Sequence, residues 1–312
     1  MTEEVKKPVL VIAGPTASGK SGLATMAAQA FEGVVINADA LQMYAGLSIL
    51  TARPLPKDEE RAPHRLYGVL ADDETCSAAR WAKMAAGEIA RARESGRLPI
   101  LVGGTGLYLK ALIEGLAPMP DVPEPYRNSA RLLAAEIGAP ALHVRLAERD
   151  PVMAARLRPS DTQRVTRAWE VLSATGRSLA EWQEMKGKPF PARFVSVFVM
   201  PGRDALYRIC DARFEKMLKE GGWDEARRFL EAPEGLPILR ALGLKELISH
   251  LKGEMPLDRA ISLAQAATRH YAKRQVTWFR HQMQPSHVVN AQYSESLWPE
   301  IFPIIRGFLL TG

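Results

Sequence analysis

The chain has 312 residues, 47% of them hydrophobic and 24% charged, with a formal net charge of +6. That balance suits one large or two moderate globular domains and excludes a disordered or low-complexity chain. Two cysteines without a CxxC pair exclude a disulfide scaffold and a cysteine-rich zinc site and fit a reducing compartment. The excess of base permits a polyanionic partner without requiring one. No apolar run is long enough to span a bilayer, and the N-terminus lacks the layout of a signal peptide. A cytoplasmic protein with no membrane association is expected.

Residues 8–14 (PVLVIAG) form an apolar run, followed by a Gly- and Ser-rich turn and an amphipathic stretch from about Lys20 to Phe31. A second run, 33–37 (GVVIN), ends at Ala38-Asp39. Helical patterning covers about Ser77–Ser95. A third run, 99–103, ends in Gly103-Gly104-Thr105-Gly106. Doubly buried strands alternating with helices predict an α/β fold with a parallel sheet.

The middle of the chain differs. Residues 117–125 (APMPDVPEP) hold four prolines in nine positions, which is linker chemistry. A mainly helical stretch runs from Tyr126 to about Met185. After the break at 186–191, residues 194–200 return as a strand, and 203–283 read as helices. The predicted organisation is an α/β core (1–118 and 191–312) with C-terminal helices and an all-helical insertion at 119–190.

Gly14-Pro15-Thr16-Ala17-Ser18-Gly19-Lys20-Ser21 matches GxxxxGK[ST] between a strand and a helix, a P-loop NTPase-like arrangement. Small residues let backbone N–H groups converge on a polyphosphate at a helix N-terminus. Lys20 adds a mobile positive charge, and the Ser21 hydroxyl suits Mg²⁺. The motif specifies phosphate rather than ATP. A typical hydrolase would also end an apolar strand in an acidic pair, whereas the third strand ends in Gly-Gly-Thr-Gly.

In open parallel sheets ligands bind at the carboxyl ends of strands, so Asp39 is expected in the same crevice as the loop. Its carboxylate could hold magnesium, accept a proton, or cap a turn. Gln42 and Tyr44 could read and stack on a base, or pack. Arg53 could meet a second phosphate or sit in a solvated loop. Thr105 offers a hydroxyl at the third strand end.

Ser160–Gln163 reads as a capping box. Arg164 and Arg167 then share a face in the first turns of a helix, facing either an anionic ligand or the acids Asp161 and Glu170. From Arg259 to Ser294 there is no Asp or Glu, but there are five Lys/Arg and three of the six histidines. Leu263, Ala267, Tyr271 and Trp278 are expected on a core face of that helix, and Arg269, Lys273, Thr277 and Arg280 on another. Basic side chains flanked by aromatics suit phosphate contact with stacking on an unpaired base. No His/Cys/carboxylate set has metal-site spacing.

GPTASGKS (14–21), DALQMY (39–44), TARP (51–54), VGGTGLYLKAL (102–112), DTQRVTRAWEV (161–171) and KRQVTWFR (273–280) together resemble the bacterial tRNA dimethylallyltransferases, in order over residues 8–283. The chain departs from the family in reading DALQMY for DSxQVY, TARP for TAKP, and His64-Arg65-Leu66 for HHL. The resemblance implies transfer of a dimethylallyl group from dimethylallyl diphosphate to N6 of the adenosine 3′ of the tRNA anticodon (position 37). It implies that Gly14, Thr16, Ala17, Ser18, Gly19, Lys20 and Ser21 hold the diphosphate and its Mg²⁺, with Ser21 as the metal ligand. Arg53 is placed at the diphosphate as well. An Arg-Ile pair stands one position off the family's register, and Arg208 is carried over to the diphosphate on that basis. Asp39 becomes the general base, with Lys20 and Thr105 beside the reacting groups. Asp39, Ala40, Leu41, Gln42, Thr105, Arg127, Gln163, Arg164, Val165, Thr166, Arg167, Arg240, Lys245, Lys273, Arg274, Gln275, Thr277, Trp278 and Arg280 fall in tRNA-contacting segments, chiefly for the anticodon stem-loop. A monomeric enzyme is the corresponding expectation. A small-molecule P-loop kinase or a prenyltransferase acting on free AMP, and an ATP-dependent nucleic-acid-binding protein without covalent chemistry, are the alternatives.

Overall fold

The computed structural model describes residues 7–311. Six strands form one parallel sheet: β1 (Pro8–Ala13), β2 (Gly33–Asn37), β3 (His64–Arg65), β4 (Leu98–Gly103), β5 (Arg193–Val199) and β6 (His287–Val289), in the order β3-β2-β4-β1-β5-β6. The chain divides into two compact units, Met1–Ile113 with Phe190–Gly312, and Glu114–Pro189. The second begins at Glu114, ahead of the proline-rich segment in which the sequence placed its boundary.

The first unit carries α1 (Lys20–Ala30), α2 (Pro56–Arg61), α3 (Ala78–Glu94) and α4 (Gly106–Ile113). The second holds α5 (Glu124–Arg149, broken at Gly138), α6 (Pro151–Ala155), α7 (Thr162–Thr175) and α8 (Leu179–Glu184). The chain returns to the first unit through β5 to α9 (Arg203–Met217), α10 (Trp223–Arg227), α11 (Leu244–Leu251), α12 (Leu257–Gln282) and α13 (Trp298–Leu310). No helix among the described residues is long and apolar enough to cross a membrane.

The period-2 alternation of a strand sorts the sheet's side chains onto two faces. Val9, Val11, Ile36 and Leu101 face a core with Trp81 and Ile89 of α3, Leu109 and Leu112 of α4, and Phe279 of α12. Leu10, Ile12, Val35 and Ile100 face Leu23, Ala24 and Ala27 of α1 and Ile301 and Ile305 of α13. The neighbouring strands β1 and β4 thus send their following helices, α1 and α4, to opposite faces. The crevice outside the carboxyl ends of two such strands is the ligand site of open α/β sheets.

The second unit has its own apolar interior, with Val122, Leu146, Met153, Ala168, Val171 and Leu172 in one cluster and Leu142 and Val165 in another. The α7 cap lies one residue beyond the expected box: the Asp161 carboxylate accepts from Arg164 N at 3.1 Å. The chain enters and leaves this unit side by side. A Cβ added at Gly115 would lie 2.7 Å from the Gly187 carbonyl carbon, and Gly115 has φ +81°. In the first unit, Phe190 N donates to Leu112 O at 3.0 Å.

Candidate active site

The loop from β1 to α1 is shaped by its small residues. A Cβ at Gly14 would stand 2.3 Å from Val199 O, at the end of β5, so only glycine lets the two strand ends pass. Gly19 has φ +87° and caps α1. Ala17 adopts φ +66° and is buried against Leu206 and Cys210 of α9 and Ala272 of α12. Tyr293 closes the far side, its N–H donating to Ser18 O at 3.0 Å. The Ser18 hydroxyl is buried without a hydrogen-bond partner. Ser21 lies exposed on the first turn of α1.

The ends of β2 and β4 are stitched together beside this loop. Thr105 N donates to Ala38 O at 3.1 Å, and Ala40 N donates to Thr105 Oγ1 at 2.9 Å. A Cβ at Gly103 would stand 2.1 Å from Ala38 O. The glycines of GGTG therefore serve approach between protein segments. Asp39 Oδ1 accepts from Leu41 N at 3.1 Å, so the turn-capping role exists. The residue also lines a cavity with Thr16, Arg213 and Tyr271, walled by Leu41, Leu50, Phe214 and Met217.

Two cations and one carboxylate govern the electrostatics here. Lys20 Nζ donates to Pro15 O at 3.2 Å. Burial lowers its pKa to about 8, opposed by Asp39 and reinforced by Arg213. Burial also lowers the Arg213 pKa, against the attraction of Cys210 and Asp39. Arg213 reaches Thr16 Oγ1 at 2.5 Å. Tyr271 has its phenol pKa raised, first by burial and then by Asp39, with the neighbouring Thr105 acting in the opposite direction.

Several residues carried over from the resemblance lie elsewhere. Arg208 is exposed on α9, and the arginine at the loop is Arg213, which the sequence reading missed. Helical spacing held the signal: Arg213 falls among Leu206, Cys210, Phe214 and Met217, the buried face of α9. Arg53 donates to Tyr44 O at 3.1 Å and lies against Gly68, bracing its own loop. The Gln42 amide nitrogen is engaged by Thr51 O and Ala52 O, and the Tyr44 hydroxyl donates to Glu74 O.

The α12 register is rotated from the expected one. Its buried residues are Ala260, Ala264, Thr268, Ala272, Gln275 and Phe279, while Leu263 is 42% exposed. Gln275 is thus buried, with both ends of its amide bonded within the protein, and offers no edge to an RNA. Trp278 packs on Gly106, where a Cβ would stand 2.1 Å from its ring. Lys273, Arg274, Thr277 and Arg280 are exposed. His270, Lys273, Arg274, Thr277 and Trp278 line an open groove, and the Arg274 guanidinium lies 5.6 Å from the centre of the Tyr271 ring. Arg269 instead pairs with Asp211 at 2.6 Å. Arg240 and Lys245 are exposed.

Within the second unit, Gln163 and Arg164 are exposed, and Arg164 lies 3.6 Å from Asp161. Arg167 pairs with Glu170 at 3.0 Å. Val165 and Thr166 point into the helical interior and present no surface to a ligand. Arg127 pairs with Asp121 at 2.8 Å and lies 3.7 Å from Glu124.

A parallel sheet with a Gly-rich loop opening a helix at its centre, flanked by Asp39 and Thr105, defines an α/β protein of P-loop architecture. Comparison with known proteins narrows this. The family model described as IPP transferase matches residues 42–282. The chain is 57% identical to the tRNA dimethylallyltransferase of Paramagnetospirillum magneticum over 98% of both chains. It is 50% identical to that of Rhodospirillum rubrum over 98% of this chain and 96% of the relative. Among solved structures it resembles the tRNA isopentenylpyrophosphate transferase of Bacillus halodurans (32% identity, 97% of both chains, TM-score 0.70). It also resembles a eukaryotic dimethylallyltransferase acting on tRNA (25% identity, 97% of this chain and 79% of that one, TM-score 0.80). The chain belongs to the IPP transferase family, with the tRNA dimethylallyltransferases.

Proposed function

We propose that this chain transfers a dimethylallyl group from dimethylallyl diphosphate to tRNA, at N6 of the adenosine 3′ of the anticodon, releasing diphosphate. The observation that carries the reading is the convergence of Lys20, Arg213, Asp39 and Thr105 on one crevice beside the glycine-rich loop. The same set lacks the acidic strand end expected of a hydrolase, because β4 ends in Gly103-Gly104.

Adenine N6 is a weak nucleophile, since its lone pair is delocalised into the ring. The barrier must therefore fall chiefly through the donor. As the C1–O bond of the allylic donor breaks, positive charge spreads over the allyl group and negative charge builds on the diphosphate. Loop N–H groups, Lys20 and Arg213 offer donors to that charge. The apolar wall of Leu41, Leu50, Phe214 and Met217 suits the five-carbon group and excludes water. Asp39 takes the N6 proton as the C–N bond forms, which balances the step. The base must leave its stack to reach this crevice.

Magnesium fits the donor set. Among the described residues no group of three or more His, Cys, Asp or Glu forms a protein cage. An ion that keeps its waters and takes oxygens from the diphosphate needs little more than the Ser21 hydroxyl. When bound, it would neutralise charge on the leaving group.

One assay tests the reading: labelled dimethylallyl diphosphate is offered with unmodified tRNA, AMP or ATP in separate reactions. Label in tRNA is the expected result, and phosphate release from ATP without label transfer sinks the proposal. Asp39→Ala should remove transfer by at least about a thousandfold while leaving tRNA Kd nearly unchanged. Intact chemistry in that variant, with tRNA binding lost, would reassign Asp39 to recognition.

A further inference from the structure

Helix α12 is seated on the strand-end loops through successive turns of one face. Tyr271 lies beside Thr105, Gln275 bonds Gly104, and Trp278 meets Gly106. The middle contact is polar, buried and two-ended. Gln275 Oε1 accepts from Thr16 N at 2.8 Å, and Nε2 donates to Gly104 O at 2.9 Å. The residue is 6% exposed, so both bonds lie away from water.

These contacts show what the amide does. Thr16 is held twice: its N–H by Gln275 from α12, and its hydroxyl by Arg213 from α9. The first turn of the phosphate loop thereby has one position, set by two helices. The Thr16 amide is occupied, so it does not serve as a diphosphate donor while this bond lasts. Gly104 is glycine for the same reason, since a Cβ there would stand 2.2 Å from Gln275 Nε2. Only a side chain of this length with an acceptor and a donor at its tip spans Thr16 and Gly104 together.

We infer that Gln275 is a positioning residue of the diphosphate site, acting through Thr16 and the loop backbone, although it sits between basic residues whose faces are turned outward. RNA contact on α12 then falls to its outward-facing residues, Lys273, Arg274, Thr277 and Arg280 among them. The inference rests on the transferase reading above.

The test uses the full-length enzyme, its Gln275→Ala variant and the near-isosteric Gln275→Glu variant. Label transfer by the wild type to tRNA is the control, and its failure counts against the transferase reading itself. Gln275→Ala should raise KM for dimethylallyl diphosphate about tenfold, the loss of roughly one buried hydrogen bond. Its tRNA Kd and the salt dependence of tRNA binding should stay at wild-type values. Gln275→Glu keeps the acceptor for Thr16 but loses the donor for Gly104, and places a negative charge beside the loop. It should raise KM at least as far as the alanine variant. A weakened tRNA Kd with KM for the donor unchanged overturns the assignment in favour of RNA contact. A lower Tm and kcat with both KM and Kd unchanged overturns it in favour of packing.

Discussion

At the scale of single residues, the charge state of Lys20 is the most informative property of the crevice. Burial disfavours its ammonium form and brings its pKa to about 8 from an ordinary value of 10.5. The unfolded chain then binds more protons than the folded one between those two values. The contribution of this group to folding stability therefore rises with pH from about 8 to about 10.5. A diphosphate beside the amine restores the charged form. Donor binding should accordingly take up close to one proton at pH 9 and much less at pH 7.5, where the diphosphate itself is already fully ionised, measured by calorimetry in buffers of different ionisation enthalpy. Lys20→Met should abolish that uptake; uptake surviving in the variant would locate the proton elsewhere. Lys20 was legible in the sequence because a mobile cation in a Gly-rich strand-to-helix turn is dictated by local chemistry. Arg213 was not, because its role depends on α9 lying against the loop, and a local match to Arg208 competed with it. Arg53 was misplaced for a related reason: an arginine in a loop is as often spent on backbone carbonyls as on a ligand, and Tyr44 O takes this one.

At the scale of elements, strand positions followed from composition. PVLVIA, GVVIN and LPILVG are buried on both faces, and near-continuous apolar runs announce that. The two-residue β3 and three-residue β6 carry too little pattern to be read and exist only through pairing with β2 and β5. The helical nature of α12 was legible, but its register was not. Polar Thr268 and Gln275 are buried there while Leu263 is exposed, so a hydrophobic template settles one residue out of phase. The exposure of Lys273 and Arg280 survives that error. Lys273→Ala with Arg280→Ala should weaken tRNA binding and reduce the magnitude of the slope of log K against log salt by about 1.5. A slope identical to wild type would remove both residues from the RNA-contacting set.

At the scale of the whole molecule, proline density announced the helical insertion, but its junction lies at Glu114 and Pro189. Each unit buries its own apolar cluster, and the chain crosses between them where Gly115 lies against Gly187. Replacing residues 114–189 by a short glycine linker should leave the sheet folded and able to bind dimethylallyl diphosphate within about threefold of wild-type Kd, read by circular dichroism and calorimetry. Transfer to tRNA should fall below detection. Loss of the folded sheet in that variant would show that the insertion is structurally required by the core. The side-by-side crossing also bears on the order of folding. Pairing β1 with β5 closes roughly 180 residues of chain, and taking the insertion's roughly 75 residues out of that loop lowers the closure cost by about 0.5 kcal/mol. Once the insertion has formed its own helices and brought Gly115 to Gly187, that segment is a short bridge and closure is easier by that amount. The last strands of the sheet should then assemble after the insertion, with its α5–α7 core as the early kinetic event.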